Sequence, residues 1–291
     1  MNPYTYQKVT SLDAAVMARG AADCFVLAGG TDLIAQMKAG HRRPSTIIDV
    51  KTIPEMTAVS AAPDGSLEIG AAVSATSLAG DDRIRARHPA LHDAVQLIGS
   101  RQIQNRATLG GNVCNAAPSA DAVPPLIVDT ATARILGPGG MRTMPLEDLF
   151  AGPGRTHLAP SEILVSLVLP SPAARSASAY LRFTPRREMD IAIVGAAARL
   201  TLGPDHRIVE ARIALASVAP TPIRAPSAEA KLAGHPITAG IIADAATAAQ
   251  SDAAPISDTR ASADYRRELI AVLVRRALFR CATRIGVEVP Q

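Results

Sequence analysis

The sequence predicts a mixed α+β chain, in which two small α/β units are followed by a unit with an antiparallel sheet and helices. Three observations predict it. Helical and strand patterns alternate over the first ~50 residues, the order that builds α/β units. Alternating or continuous apolar runs at 179–184, 191–202 and 207–219 are separated by turn residues, as in an antiparallel sheet. A long amphipathic pattern at 263–284 closes the chain as a helix.

Each element follows from its residues. After Ser11, "LDAAVMARG" places Leu12, Ala15 and Val16 on one helical face, with Asp13 in the first turn and Gly20 at the end. "CFVLAG" reads as a strand, "DLIAQMKAG" as a helix with Leu33, Ile34 and Met37 on one face, and "STIIDV" as the next strand. "AAPDGSLEIGAAVS" reads as a hairpin turning at Pro63, Asp64 and Gly65. Helices are expected in "DDRIRARH" and in "PALHDAVQLIG", where Pro89 suits the first turn. "PSADAVPPLIVDTA" is read as a further helix despite Pro124 and Pro125, "TARILG" as a strand, and "SEILVSLVLP" as a strand ended by proline. The aperiodic "SPAARSASA", Ser171 to Ala179, is the expected linker. Divisions are accordingly expected as 1–55, 56–173 and 174–291. Beyond the linker, "VGAAARL" is alanine-rich, but flanking Ile, Val and Thr favour strand. In the terminal helix Leu269, Val272, Leu273 and Leu278 are expected inward and the arginines outward.

Composition narrows the function classes. The 291 residues are 48% hydrophobic, which suffices for buried cores, but only 3% aromatic with no tryptophan. Little is therefore available for stacking on nucleic-acid bases, and a formal charge of +4 is spread along the chain without a basic face. Cys24, Cys114 and Cys281 are odd in number and widely spaced, which argues against a disulfide framework and for a reducing compartment. No Cys/His cluster predicts a zinc or iron–sulfur site in this chain. Residues 1–20 lack a leader pattern, and no apolar run approaches the ~20 residues needed to span a bilayer, so a cytoplasmic setting is expected.

Two glycine knots carry the chemistry. "FVLAGGTDLIAQMKAG" and "ATLGGNVCNAAPSAD" each set two adjacent glycines beside hydroxyl or amide side chains ahead of an apolar segment. Glycine permits positive φ and close backbone approach, so such a turn can aim several N–H groups at an anion. Taken singly, each knot reads first as a tight turn with a capping residue, Thr31 or Asp32 in the first case. Neither has the spacing of a GxGxxG fingerprint or a P-loop. Their shared inventory favours a ligand: Thr108, Gly110, Gly111, Asn112 and Asn115 offer donors, and Asp121 offers an acceptor for a ribose hydroxyl. Such a ligand would carry a diphosphate and a sugar.

Read in order, "LAGGTDLIAQMK", "ATLGGNVCNAAPSADAVPPL", "RREMDIAIVGAAARL" and "DYRRELIAVLVRRAL" resemble the FAD-binding medium subunits of molybdenum hydroxylases, the family of carbon monoxide dehydrogenase and of the flavoprotein portion of xanthine dehydrogenase. The similarity runs from about Tyr4 to about Arg280. It implies a two-subdomain FAD-binding fold of the vanillyl-alcohol-oxidase-like (PCMH) type and an α+β C-terminal domain. It also implies FAD as cofactor, with Leu27, Ala28, Gly29, Gly30, Thr31, Asp32 and Leu33 on the first diphosphate loop, and Thr108, Gly110, Gly111, Asn112 and Asn115 on the second. Asp121 falls on an acid that binds ribose hydroxyls, and Leu164 on an apolar residue beside the isoalloxazine. Arg182 falls where relatives often carry lysine near the flavin ring, and Ile191 where some carry an aromatic residue.

The implied partners are a molybdopterin-binding large subunit and a [2Fe-2S] small subunit, as a dimer of heterotrimers, with NAD, a quinone or oxygen as electron acceptor. An FAD-dependent oxidase acting alone would need its own base near the flavin, and none is evident. A scaffold subunit without FAD would be expected to have broken knots, and these are whole. Among single residues, Asp121 alone would also suit a helix start. Cys114 reads as a buried packing residue, and His41, His88 and His92 as solvated or satisfied. The cluster Arg186, Arg187, Glu188 and Asp190 reads as a solvated turn or a docking surface for a partner subunit.

Overall fold

The computed structural model describes residues 2–290. Its first unit runs β1 (Thr5–Lys8), α1 (Leu12–Arg19), β2 (Cys24–Leu27), α2 (Leu33–Lys38) and β3 (Thr46–Asp49). The sheet order is β1-β3-β2 with both pairs parallel. Parallel neighbours need crossover connections, which the helices supply. The Ser11 hydroxyl caps α1 by accepting from the Ala14 amide at 3.3 Å. Within α2 only Met37 is buried and Ile34 is exposed, so the apolar face read from the sequence is narrower than expected. Because β2 and β3 run the same way, the loop after β2 emerges at the carboxyl edge of the sheet, where open α/β sheets bind ligands.

The second unit opens with α3 (Pro54–Thr57) and the hairpin of β4 (Val59–Ala61) and β5 (Leu67–Gly70). Four short helices follow, α4 (Ala75–Ala79), α5 (Asp82–Arg87), α6 (Pro89–Val95) and α7 (Arg101–Gln104), and then α8 (Leu109–Asn115) and α9 (Val123–Val128). The chain continues through β6 (Thr132–Gly137), β7 (Gly140–Pro145), a 3-10 turn at Leu146–Leu149, the small pair β8 (Phe150–Gly152) and β9 (Arg155–Thr156), and β10 (Ile163–Leu169). The antiparallel sheet order β4-β5-β10-β6-β7 puts β10 at the centre. Helix α9 is shorter than the sequence suggests: Pro124 and Pro125 have no amide hydrogen and are tolerated only in its first turn.

The third unit holds β11 (Ser176–Phe183), β12 (Val194–Leu202), β13 (Ile208–Ala216) and β14 (Ile223–Arg224), antiparallel in that order, with α10 (Pro226–Leu232), α11 (Ala239–Ala248) and α12 (Ala263–Ile285). All nine residues of β12 are buried. Ala197 belongs to the core shared with the first two sheets, whereas Ala196, Ala198 and Leu200 pack in the core beneath α10–α12. Both faces of this sheet are covered, and small side chains let helices approach from either side. The segment 171–179 is not a free linker, since β11 starts within it and Ala177, Ser178 and Ala179 are buried. In α12, Arg266 is buried rather than outward: it donates to the carbonyls of Ile193 at 2.5 Å and Ser217 at 3.1 Å, and pairs with Asp258 at 2.9 Å. Val274 is buried and Val272 only partly so.

Candidate functional site

The fold brings the two glycine knots into contact. A Cβ on Gly29 would collide with the carbonyl of Arg106, the residue just ahead of the second knot. Gln36 of α2 donates to Asn115 Oδ1 of α8 at 3.2 Å, tying the helices that follow each knot. Gly30 adopts φ +77° and is wrapped by Leu27 and Ile34, a conformation that strains any side chain.

The backbone donors of the two knots differ. In the first, the Ile34 amide donates to Gly30 O, but the amides of Gly29, Gly30, Thr31, Asp32 and Leu33 meet no acceptor among the described residues. Asp32 occupies the cap position of α2 without a side-chain hydrogen bond, so its expected capping role is not seen. In the second knot the amides are taken: Leu109 N donates to Val73 O at 3.1 Å, Gly110 N to Ala71 O at 2.9 Å, and Gly111 N to Thr108 Oγ1 at 3.1 Å. The expected backbone donors there are thus already paired, and Gly110 serves close packing, since its Cβ would clash with Ala71. Asn112 accepts from the Ala122 amide at 3.2 Å and Asn115 from Gln36, which leaves their side-chain NH2 groups without an acceptor among the described residues. A Cβ on Gly111 would meet Thr108 Oγ1 and nothing else within 4 Å, so that side of the helix is open.

A cavity of about 380 Å³ opens at the first knot, against Gly29, Gly30 and Thr31, with Lys38 and Arg106 among its walls. The sequence reading missed these two cations. The available signal was their position: Arg106 directly precedes the second knot, and Lys38 lies one helical turn beyond Ile34.

Asp121 and Arg182, distant in sequence, meet as a buried ion pair. Asp121 is 8% exposed, and its other oxygen accepts from Tyr180 Oη at 2.7 Å. Tyr180 reaches it by crossing Gly195, the strand partner of Arg182, where a Cβ would collide with the hydroxyl. Burial pushes the Asp121 carboxyl above its usual range, against the opposing pull of Arg182 and of the Tyr180 hydrogen bond. Burial, and then the Asp121 charge, raises the Tyr180 phenol well above its ordinary value, so it remains a donor. Leu164 is buried in the core beside an irregularity of β10 and does not line the cavity. Cys114 is exposed rather than buried as expected, whereas His88 is buried with Nδ1 3.0 Å from Asp129. Among the described residues no group of His, Cys, Asp or Glu side chains is placed to hold a metal, and no helix is long and apolar enough to cross a membrane.

This donor set fits a dinucleotide diphosphate: unpaired amides at a sheet's carboxyl edge, a positive-φ glycine that brings the backbone close, and nearby hydroxyl and amide side chains. Comparison with known proteins agrees. Residues 2–172 match the family described as the FAD binding domain in molybdopterin dehydrogenase, and residues 179–281 match the CO dehydrogenase flavoprotein C-terminal domain. A putative xanthine dehydrogenase FAD-binding subunit of Escherichia coli (strain K12) is 36% identical over 263 residues, covering 90% of this chain and 89% of that protein. The carbon monoxide dehydrogenase medium chain of Hydrogenophaga pseudoflava is 32% identical over 278 residues, covering 94% and 96%. The solved structure of carbon monoxide dehydrogenase from Hydrogenophaga pseudoflava superposes with a TM-score of 0.92 at 33% identity over 98% of this chain and 99% of that one. Fold, knots and full-length similarity together make the chain a member of the molybdenum hydroxylase flavoproteins, the FAD-binding oxidoreductase subunits of multi-subunit dehydrogenases.

Proposed function

We propose that this chain carries electrons through FAD inside a larger molybdenum hydroxylase, receiving them from [2Fe-2S] clusters of a small partner subunit and delivering them to an external acceptor. The observation that carries the site assignment is the run of unpaired amides from Gly29 to Leu33 beside the second knot. When bound, FAD supplies the ability to take electrons singly from a cluster and release a pair to an acceptor such as NAD, a quinone or oxygen. The protein's part is binding, orientation and electrostatics. In this reading the first knot's amides and Thr31 hold the diphosphate, flanked by Leu27, Ala28 and Leu33, and the side chains of Asn112 and Asn115 add donors from the second knot.

Asp121 keeps acceptor capacity beyond Tyr180 and Arg182, because a carboxylate has about four lone-pair sites, so a ribose hydroxyl can still join it. Arg182 supplies positive charge to the ring, and Leu164 supports it from the core. The divisions at 55/56, which falls inside α3, and at 173/174, between β10 and β11, belong to the same proposal. So do a molybdopterin-binding large subunit, a dimer of heterotrimers and a cytoplasmic setting. The exposed Met189 and Ile191, beside Arg186 and Arg187, supply the docking surface. The visible spectrum of the purified full chain tests the central point: flavin absorbance, or uptake of added FAD, is expected, and a colourless protein that takes up none sinks the reading.

A further inference from the structure

We infer that Lys38 and Arg106 are the cations that neutralise the cofactor diphosphate; the inference rests on the FAD reading above and adds two residues to it. Both residues line the cavity at the first knot, and both are exposed. Neither has a carboxylate partner or a side-chain hydrogen bond among the described residues, unlike Arg134, Arg142 and Arg182, each of which is paired with an acid. Asp32, the acid of the loop, forms an ion pair with neither. Two cations on one cavity wall suit an anion bound between them, and a dinucleotide diphosphate supplies two negative charges.

Backbone geometry fixes where these charges start. The main chain of Arg106 is pressed against Gly29, so its side chain departs from the junction of the two knots. Lys38 shares a face of α2 with Ile34 and Ala35, the other helical residues on the cavity wall. It therefore stands about 6 Å further along the helix axis than Ile34, at ~1.5 Å per residue. The amides of the knot mark one end of the anion-binding stretch and Lys38 the other, a span suited to two linked phosphates rather than to one. Backbone amides carry only partial charge, whereas hydrogen bonds from an ionised donor are roughly twice as strong as neutral ones. The site thus distinguishes a diphosphate-bearing dinucleotide from the uncharged riboflavin.

Titration of the flavin-free full chain with FAD and with riboflavin, at low and high salt, tests this directly. Lys38→Ala and Arg106→Ala are each expected to weaken FAD binding about tenfold, the double variant more, and its dependence on salt should flatten. Riboflavin binding should not change, Arg106→Lys should recover part of the loss, and ADP should compete with FAD on the wild type more effectively than on the double variant. Arg275→Ala, an exposed change on α12, controls for net charge. Wild-type FAD affinity and salt dependence in the double variant would overturn the role of these cations while leaving the FAD reading intact. Failure of the wild-type chain to take up FAD would instead overturn that reading.

Discussion

Tyr180, Asp121 and Arg182 form the interaction whose removal has the most predictable cost. The carboxylate comes from the segment before α9 and both of its partners come from β11, so the group joins the FAD-binding half to the C-terminal sheet. Tyr180 is 1% exposed and the Arg182 side chain 5%, so solvent cannot replace a lost partner. Tyr180→Phe removes only the hydroxyl and leaves the ring in place. It should cost about 1.5–3 kcal/mol, the range for a hydrogen bond to a charged group. Asp121→Asn removes the charge that compensates Arg182, and about 3–5 kcal/mol is expected because a buried guanidinium is left alone. Replacing both members of the pair, Asp121→Asn with Arg182→Met, should cost less than the sum of the single changes, since no buried charge then lacks a partner. Urea denaturation of the flavin-free chain measures all of these through the midpoint, provided the slope is unchanged. Costs for Asp121→Asn below ~1 kcal/mol, or strict additivity in the double variant, would refute the buried pair as a joint between the two halves.

Other predictions follow from close contacts and from one depressed acid. Gly29→Ala puts a methyl group into the carbonyl of Arg106 and should destabilise the chain by about 1–3 kcal/mol while weakening FAD binding; unchanged urea midpoint and FAD affinity would contradict the contact between knots. Gly111→Val should abolish flavin retention by filling the open side of α8, read as flavin absorbance per chain after purification; full flavin content would take the second knot out of the site. Arg142, hydrogen bonded to Glu162, holds that carboxyl below its usual value. Its contribution to stability is therefore present above the unfolded value of about 4.3 and is lost as pH falls through the lower folded value. Glu162→Gln should show a shallower acid-side loss of urea midpoint, and a profile with the wild-type slope would count against the assignment.

The elements that could be read from sequence are those with local signals. Ser11 and Gly20 bound α1, Pro89 opens α6, and Gly203 to His206 make the turn between β12 and β13. Elements set by distant partners could not be read. All four residues of β1 are exposed, so no burial alternation marks them, and they become a strand by pairing with β3. The segment 171–179 has the composition of a linker, yet its second half is held by the strand opposite, Ser176 to Ala179 lying against Ala198 to Thr201. Arg266 is different: it lies three and four residues before Leu269 and Ile270, so its spacing puts it on the buried face of α12 and only its charge pointed outward, and the carbonyls of Ile193 and Ser217 accept from it there.

The candidate site shows the same division within single dipeptides. From sequence, both glycines of a knot look alike, and both are assigned to the ligand. In the structure Gly29 and Gly110 are required by contact with other backbone, at Arg106 and Ala71, contacts that no local pattern reveals. Gly30 is required by its positive φ, and Gly111 borders open space apart from the Thr108 hydroxyl. One glycine of each pair therefore brings chain segments together while its neighbour shapes the cleft. The knots also differ in what they present. In the first, the amides from Gly29 to Leu33 are unpaired among the described residues, whereas the second gives its own to Ala71, Val73 and Thr108 and presents asparagine side chains instead. A change at Gly110 should then act first on folding and a change at Gly111 first on FAD, although the two residues are adjacent and chemically identical.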